Sequence, residues 1–185
     1  KVLPKTVPAG QAMAYNGALL NRTVDYKDFM ARFRVAASQS EETIEDSIPS
    51  YFFGQNTLNA INDALRVFLD GFSNLHVKDS PPKLVVEKNG ETLDIRQLSD
   101  GERSFIAMIS DLGRRLALAN PELPDPTFGA GVVFIDEIEL HLHPKWQLEI
   151  TEKLRTVFPN IQFIVTTHSP FILQTSREGE VISLD

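Results

Sequence analysis

The chain has 185 residues, a formal net charge of −7, no cysteine, and an ordinary balance of 42% hydrophobic to 23% charged residues. Such a length suits one globular domain, with or without an appended piece. The lack of cysteine excludes a disulfide scaffold, a thiolate nucleophile and a cysteine zinc site. The acidic balance argues against a domain that itself grips nucleic acid, because basic residues gather only at Arg114-Arg115 and the scattered Lys27, Arg32 and Arg34. No run reaches the roughly 18 apolar residues needed to span a bilayer, and no apolar stretch follows the opening Lys1-Val2-Leu3-Pro4-Lys5. A cytoplasmic protein with no membrane partner is expected.

Residues 1–24 mix Pro, Gly, Ala and Asn and read as a connector. Residues 25–46 place Tyr26, Phe29, Met30 and Phe33 at helical steps before an acidic run. A clearer helix follows, with Leu58, Ile61, Leu65, Phe68, Leu69 and Phe72 on one stripe and Gly71 near its end. Two alternating segments, 83–88 and 91–95, flank Asn89-Gly90, the pair that a type I′ hairpin turn favours. Residues 25–96 thus read as a helical segment plus a β-hairpin.

Directly after the hairpin, Leu98-Ser99-Asp100-Gly101-Glu102 opens a helix predicted to run to about residue 120, apolar almost all round at its start. Residues 121–131 hold three prolines and two glycines and read as a loop. The runs Val132 to Ile135 and Ile161 to Val165 are short and rich in β-branched residues, so they read as strands buried on both faces. A Pro144-started helix lies between them, which makes a βαβ unit of a parallel sheet. Val181 to Leu184 reads as a further strand.

Three motifs carry chemistry. Val132 to Ile135 ends abruptly in Asp136-Glu137, which puts two carboxylates at the C-terminal edge of a parallel sheet, where α/β sites form. The first can hold Mg²⁺, since hard cations take oxygen ligands, and the second can orient or deprotonate a water that attacks a phosphoryl group. The neighbouring strand ends in Thr166-Thr167-His168-Ser169-Pro170, which brings His168 to the same edge; Ser169 and Pro170 are also a helix cap and first turn. In the third, Ser99 and Glu102 form the Ser-x-x-Glu capping box, and this explains both residues without further function. A serine and a glycine at a helix N-terminus also suit a phosphate.

In this order the motifs resemble the ABC-ATPase family. Leu98 to Glu102 is similar to the signature sequence, Val132 to Glu137 to Walker B, and Thr167-His168 to the switch histidine. Glu139-Leu140-His141-Leu142-His143-Pro144 resembles the D-loop of the RecF, SMC and OLD-type branch; transporter ATPases usually carry Pro-Thr where this chain has Ile138-Glu139. Residues 97–173 together resemble a bacterial AAA-type ATPase group of anti-phage defence islands that includes the Septu and retron-associated ATPases. The resemblance implies an α/β, P-loop NTPase type of fold, with residues 97–185 as its C-terminal lobe. It implies ATP as substrate, Mg²⁺ linked to Asp136, Glu137 as catalytic base and His168 on the γ-phosphate. Ser99, Asp100, Gly101 and Glu102 would face ATP held by an opposite subunit in a head-to-tail dimer or higher even oligomer, with His141 and His143 at that interface. A nuclease or other defence effector, and DNA through a partner, are the implied associates.

No glycine of the ten begins a G-x-x-x-x-G-K-[ST] pattern, and none is followed by Lys. The backbone nest and lysine that grip the β- and γ-phosphates are therefore expected on an N-terminal lobe of a longer polypeptide. Two other readings stay open from residues alone. One is a metal-dependent hydrolase using His141, His143, His168, Asp136 and Glu139 around Zn²⁺ or Mn²⁺. The other is a non-catalytic ATPase-fold scaffold for a nuclease.

Overall fold

The computed structural model describes residues 55–78 and 83–184. The expected connector over 1–24 and helix over 25–46 lie outside the described residues. Helix α1 spans Gln55–Phe68 and is followed by strands β1 (Phe72–Lys78), β2 (Lys83–Lys88) and β3 (Glu91–Asp94). Helix α2 covers Asp100–Ala119, β4 Gly131–Ile135, α3 Pro144–Val157, β5 Ile161–Val165 and the short α4 Pro170–Gln174. No described helix is long and apolar enough to cross a membrane.

The hairpin forms as its turn chemistry dictates. β2 pairs antiparallel with β3, and the last pair, Lys88 with Glu91, is closed by Asn89 (φ 52°) and Gly90 (φ 85°). Both central residues take the positive φ of a type I′ turn. The strand is shorter than predicted, because Ile95 turns into a single 3₁₀ turn capped by Asp94.

The predicted stripe of the first described helix is divided between two elements. α1 stops at Phe68, Gly71 takes φ 79° to reverse the chain, and Phe72 becomes the first residue of β1. β1 carries a bulge between Ser73 and His76, centred on Asn74 at φ 52°. Such a bulge breaks the period-two pattern by which a strand is recognised. Asn62 of α1 holds it in place: its Oδ1 accepts from Leu75 N at 2.6 Å and its Nδ2 donates to Leu75 O at 3.3 Å.

β4 and β5 pair in parallel, from Gly131 opposite Ile161 to Ile135 opposite Val165, with α3 as the crossover. They are not buried on both faces. Val133, Ile135, Ile161, Phe163 and Val165 pack against the core, while Val132, Phe134 and Ile164 point away, with Phe134 72% exposed. Apolar residues on both sides of the strands produce the run seen in sequence, yet the described helices cover one side. The further strand expected over 181–184 does not form. Among the described residues nothing pairs with it, and Ile182 is 84% exposed.

The core joins these layers through aromatic rings. Phe68 lies 5.7 Å from Phe105 of α2 and 6.5 Å from Phe158 after α3. Phe158 in turn meets Phe163 of β5 edge-on at 6.2 Å, and Phe105 meets Trp146 of α3 edge-on at 5.4 Å. Lys153 adds a bond from its Nζ to Phe68 O at 3.1 Å, which satisfies a carbonyl at the C-terminus of α1. Phe68 has no exposed surface and sits where α1, α2 and the α3 end meet. Phe68→Ala should therefore lower stability by about 3–5 kcal/mol in urea titration, the usual cost of truncating a buried phenylalanine; a loss below about 1 kcal/mol would place this ring outside the core.

Candidate functional site

Because β4 and β5 end in register, the residues that follow them leave the sheet on one edge. The pairing runs one step beyond the strands: Thr166 N donates to Ile135 O at 2.9 Å, and Ile138 N donates to Thr166 O at 3.1 Å. The Thr166 side chain completes the join. Its hydroxyl donates to Asp136 Oδ1 at 2.6 Å and accepts from Glu137 N at 2.8 Å. One hydroxyl can do both, having one proton and two lone pairs. It thereby fixes the first carboxylate and the backbone of the second.

Asp136 and Glu137 are both exposed. Among the described residues the Glu137 carboxylate and the second oxygen of Asp136 have no protein partner, so both are free to meet a ligand. Glu137 also has φ 50°, in the left-handed region that costs a non-glycine residue roughly 1–3 kcal/mol. The Thr166 bond to its N–H and the bond from Leu140 N to its carbonyl, 2.9 Å, hold it there. An exposed, unpaired carboxylate kept in an unfavourable backbone conformation is a feature that functional sites share.

His168 reaches this edge as expected, but its ring makes no hydrogen bond to either carboxylate among the described residues. Its backbone is what the fold grips. His168 N donates to Glu139 Oε1 at 2.7 Å, and Thr167 Oγ1 donates to Glu139 Oε2 at 2.6 Å. Burial alone would raise the Glu139 carboxyl; the bonds from Thr167 and His168 outweigh it and hold the group below the usual carboxylate range. The sequence marks Glu139 as the start of the D-loop-like run and as a possible metal ligand, and neither reading gives it these two partners. Ser169 caps α4 as predicted, accepting from Phe171 N at 3.2 Å, and its own hydroxyl donates to Gln147 Oε1 at 2.6 Å.

At the start of α2 the capping box forms in full. Ser99 N and Ser99 Oγ each donate to Glu102 Oε2 at 2.9 Å, and Glu102 N approaches Ser99 Oγ at 3.4 Å. The other carboxylate oxygen of Glu102 takes Lys88 Nζ from β2 at 2.8 Å. Burial would raise the Glu102 carboxyl, but Lys88 and Ser99 together hold it below its usual range. Glu102 is thus committed inside the fold at 8% exposure. Asp100, by contrast, is exposed and pairs with Arg103 one turn on.

Gly101 explains its own identity. A Cβ there would lie 2.5 Å from His141 O and 3.1 Å from the Trp146 ring, so the first turn of α2 touches the segment before α3. His141 itself has φ 65°. Ser99, Asp100, Gly101, His141, Leu142, His143 and Trp146 line one open cleft. Two motifs some forty residues apart in sequence therefore form one surface, which their spacing did not reveal.

The metal-hydrolase constellation does not assemble. Among the described residues no group of three or more His, Asp or Glu side chains is placed to hold a metal ion. His143 Nδ1 accepts from Lys145 N at 3.2 Å as the cap of α3, and both oxygens of Glu139 are taken by Thr167 and His168. Asp136 retains what a single hard cation needs, an exposed carboxylate oxygen.

Comparison with known proteins now places the chain. Residues 20–174 match the family described as "AAA domain, putative AbiEii toxin, Type IV TA system". The chain belongs to this AAA-domain family. It is similar to the Retron Ec83 probable ATPase of Escherichia coli, 47% identical over 137 residues, which are 74% of this chain and 25% of that protein. It is also similar to the Retron Vc95 probable ATPase of Vibrio cholerae serotype O1 biovar El Tor, 47% identical over 122 residues, 65% of this chain and 24% of the relative. The Septu protein PtuA of Bacillus thuringiensis is 43% identical over 110 residues, 58% of this chain and 28% of its own length. The chain thus spans about a quarter of the length of the curated relatives it matches. Among solved structures, one described under ATP-driven dimerization and DNA-stimulated activation of SMC ATPases superposes with a TM-score of 0.51 at 16% identity, covering 71% of this chain and 84% of that one. The fold of this AAA-domain chain is accordingly the α/β fold of P-loop ATPase heads.

Trp146 is the single tryptophan of the sequence, so its emission reports the contact between α2 and the α3 entry. Gly101→Ala should shift the Trp146 emission spectrum, because the added methyl cannot fit against His141 O without moving the turn. Ser104→Ala, at an exposed position one turn further along, should leave it unchanged. An unaltered spectrum in Gly101→Ala would show that the two segments do not touch in solution.

Proposed function

We propose that this chain carries the hydrolytic edge of an ATPase that works as a head-to-tail pair in an anti-phage defence system. The observation that carries the reading is the pair Asp136 and Glu137 at the end of β4, joined through Thr166 to the strand that leads into His168. Family membership and the similarity to proteins named as probable retron ATPases support ATPase-type activity. The similarity to the Septu protein PtuA fits a place in an anti-phage defence system, and a nuclease is the partner effector proposed.

In this reading the free Glu137 carboxylate takes the proton of the water that attacks the γ-phosphorus, the bond from that phosphorus to the bridging oxygen breaks and ADP leaves, and the Thr166 bond to Glu137 N holds the backbone that carries the carboxylate. His168 meets the γ-phosphoryl oxygens from the same edge. Asp136 would hold Mg²⁺ through its unpaired oxygen, directly or by way of water, and the ion would neutralise phosphate charge. The start of α2 presents Ser99 and the N–H groups around Gly101 to a nucleotide held by a second copy, where the helix N-terminus favours an anion. Ser99 would then redirect to phosphate the proton it now gives to Glu102. Glu102 serves as the structural cap of that helix, and Asp100, His141 and His143 lie on the surface that would face the other copy.

The grip on the β-phosphate is assigned to a phosphate-binding loop outside these 185 residues, because none occurs in the sequence. In the complete ATPase, Glu137→Gln should keep ATP binding while turnover falls by about two to four orders of magnitude, the usual share of a general base. Single-turnover assays with labelled ATP measure both quantities. Undiminished hydrolysis would remove Glu137 from the role. By calorimetry, the 185-residue chain alone should show no measurable heat with ATP and Mg²⁺; micromolar affinity would contradict the division of labour proposed here.

A further inference from the structure

We propose that Glu139 is a positioning residue for His168, a role that rests on the ATPase reading above. Its carboxylate is the one side chain among the described residues that bonds to the His168 backbone, Oε1 to His168 N at 2.7 Å. Its other oxygen holds the preceding residue through Thr167 Oγ1 at 2.6 Å. Two short bonds to consecutive residues, from the two oxygens of one carboxylate, fix the orientation of that peptide as well as its place. Among the described residues the histidine ring has no hydrogen bond of its own, so the backbone sets where the ring can reach.

Glu139 is in turn held on its own side. Leu142 N donates to Glu139 O at 2.9 Å, and the turn before it is closed by Leu140 N to Glu137 O at 2.9 Å. The connection returns by a second route. Thr167 Oγ1 accepts from Ser169 N at 3.0 Å, Ser169 Oγ donates to Gln147 Oε1 at 2.6 Å, and Gln147 Nε2 donates to Leu142 O at 2.9 Å. A closed ring of bonds thus ties the loop after β5 to the segment between β4 and α3. Removing Glu139 opens that ring at its charged member while leaving the sheet pairing at Thr166 intact. The expected consequence is a misplaced histidine on an otherwise folded edge.

The test is steady-state ATP hydrolysis by the complete ATPase, comparing the unmodified protein with Glu139→Ala, Glu139→Gln, His168→Ala and the Glu139→Ala, His168→Ala double variant. Glu139→Ala should lower kcat by between about tenfold and a hundredfold, as small misplacements at a reacting centre do, with KM for ATP changed by less than about twofold. Glu139→Gln keeps the shape and an acceptor for His168 N, so it should recover kcat to within about threefold of the unmodified protein. In the His168→Ala background, Glu139→Ala should cost less than about twofold more, because residues acting through one contact are not additive. A normal kcat in Glu139→Ala, a Gln variant as impaired as Ala, or full additivity with His168→Ala would each overturn the positioning role. If Glu139→Ala does not fold, Thr167→Val removes the Thr167 bond to Glu139, together with the acceptor of Ser169 N, and leaves the carboxylate bonded to His168 N. It should lower kcat at least about threefold in the normal background and not in the His168→Ala background, and failure of either result overturns the role. Absence of ATP turnover in the unmodified protein would overturn the ATPase reading and this role with it, whereas turnover that ignores Glu139 overturns the role alone.

Discussion

The structure depends most on what Thr166 does one residue beyond the end of β5. Its backbone continues the parallel ladder with Ile135 and Ile138, and its hydroxyl bridges Asp136 Oδ1 and Glu137 N. Two loops that would otherwise leave the sheet independently are joined at the place where the carboxylates emerge. The strained φ of Glu137 is tolerable because these bonds over-determine it. Everything further along each loop, Glu139 on one side and His168 on the other, starts from this fixed point.

A second constraint sets the start of α2 against the segment before α3. The aromatic contact of Phe105 with Trp146 sets α2 against α3, and Gly101 allows the first turn of α2 to touch His141 O. Any larger residue at 101 would push the two segments apart. Glu102, buried and bonded to Lys88 and Ser99, fixes the same turn to the hairpin. The cleft at the start of α2 is therefore built by packing from three elements, while the carboxylate edge is built by strand register.

What could be read from the sequence was what local chemistry decides. Asn89-Gly90 specified its turn, Ser99 and Glu102 their box, and Pro144 and Ser169-Pro170 the starts of two helices, because each depends on residues a few positions apart. The carboxylate pair was visible because a β-branched run broke off at Asp136. β1 was hidden by the bulge at Asn74, which spoils alternation, and by Leu69 and Phe72, which continue a helical spacing past the end of α1. The uncovered face of β4 and β5 was hidden because an apolar run looks the same whichever side is packed. The bonds of Glu139 to Thr167 and His168 were hidden because these partners lie 28 and 29 residues away; an acid beside one strand end and a Thr-Thr pair at the other was the available signal.

If Asp136 and Glu137 act as proposed, the Thr166 hydroxyl is what holds them in working geometry. Thr166→Val in the complete ATPase tests it most directly, since valine keeps the shape and the strand preference and removes the hydroxyl alone. The account predicts that ATP turnover falls at least about tenfold while ATP affinity stays within about threefold. Turnover equal to that of the unmodified protein would show that the join between the two loops is incidental to the chemistry.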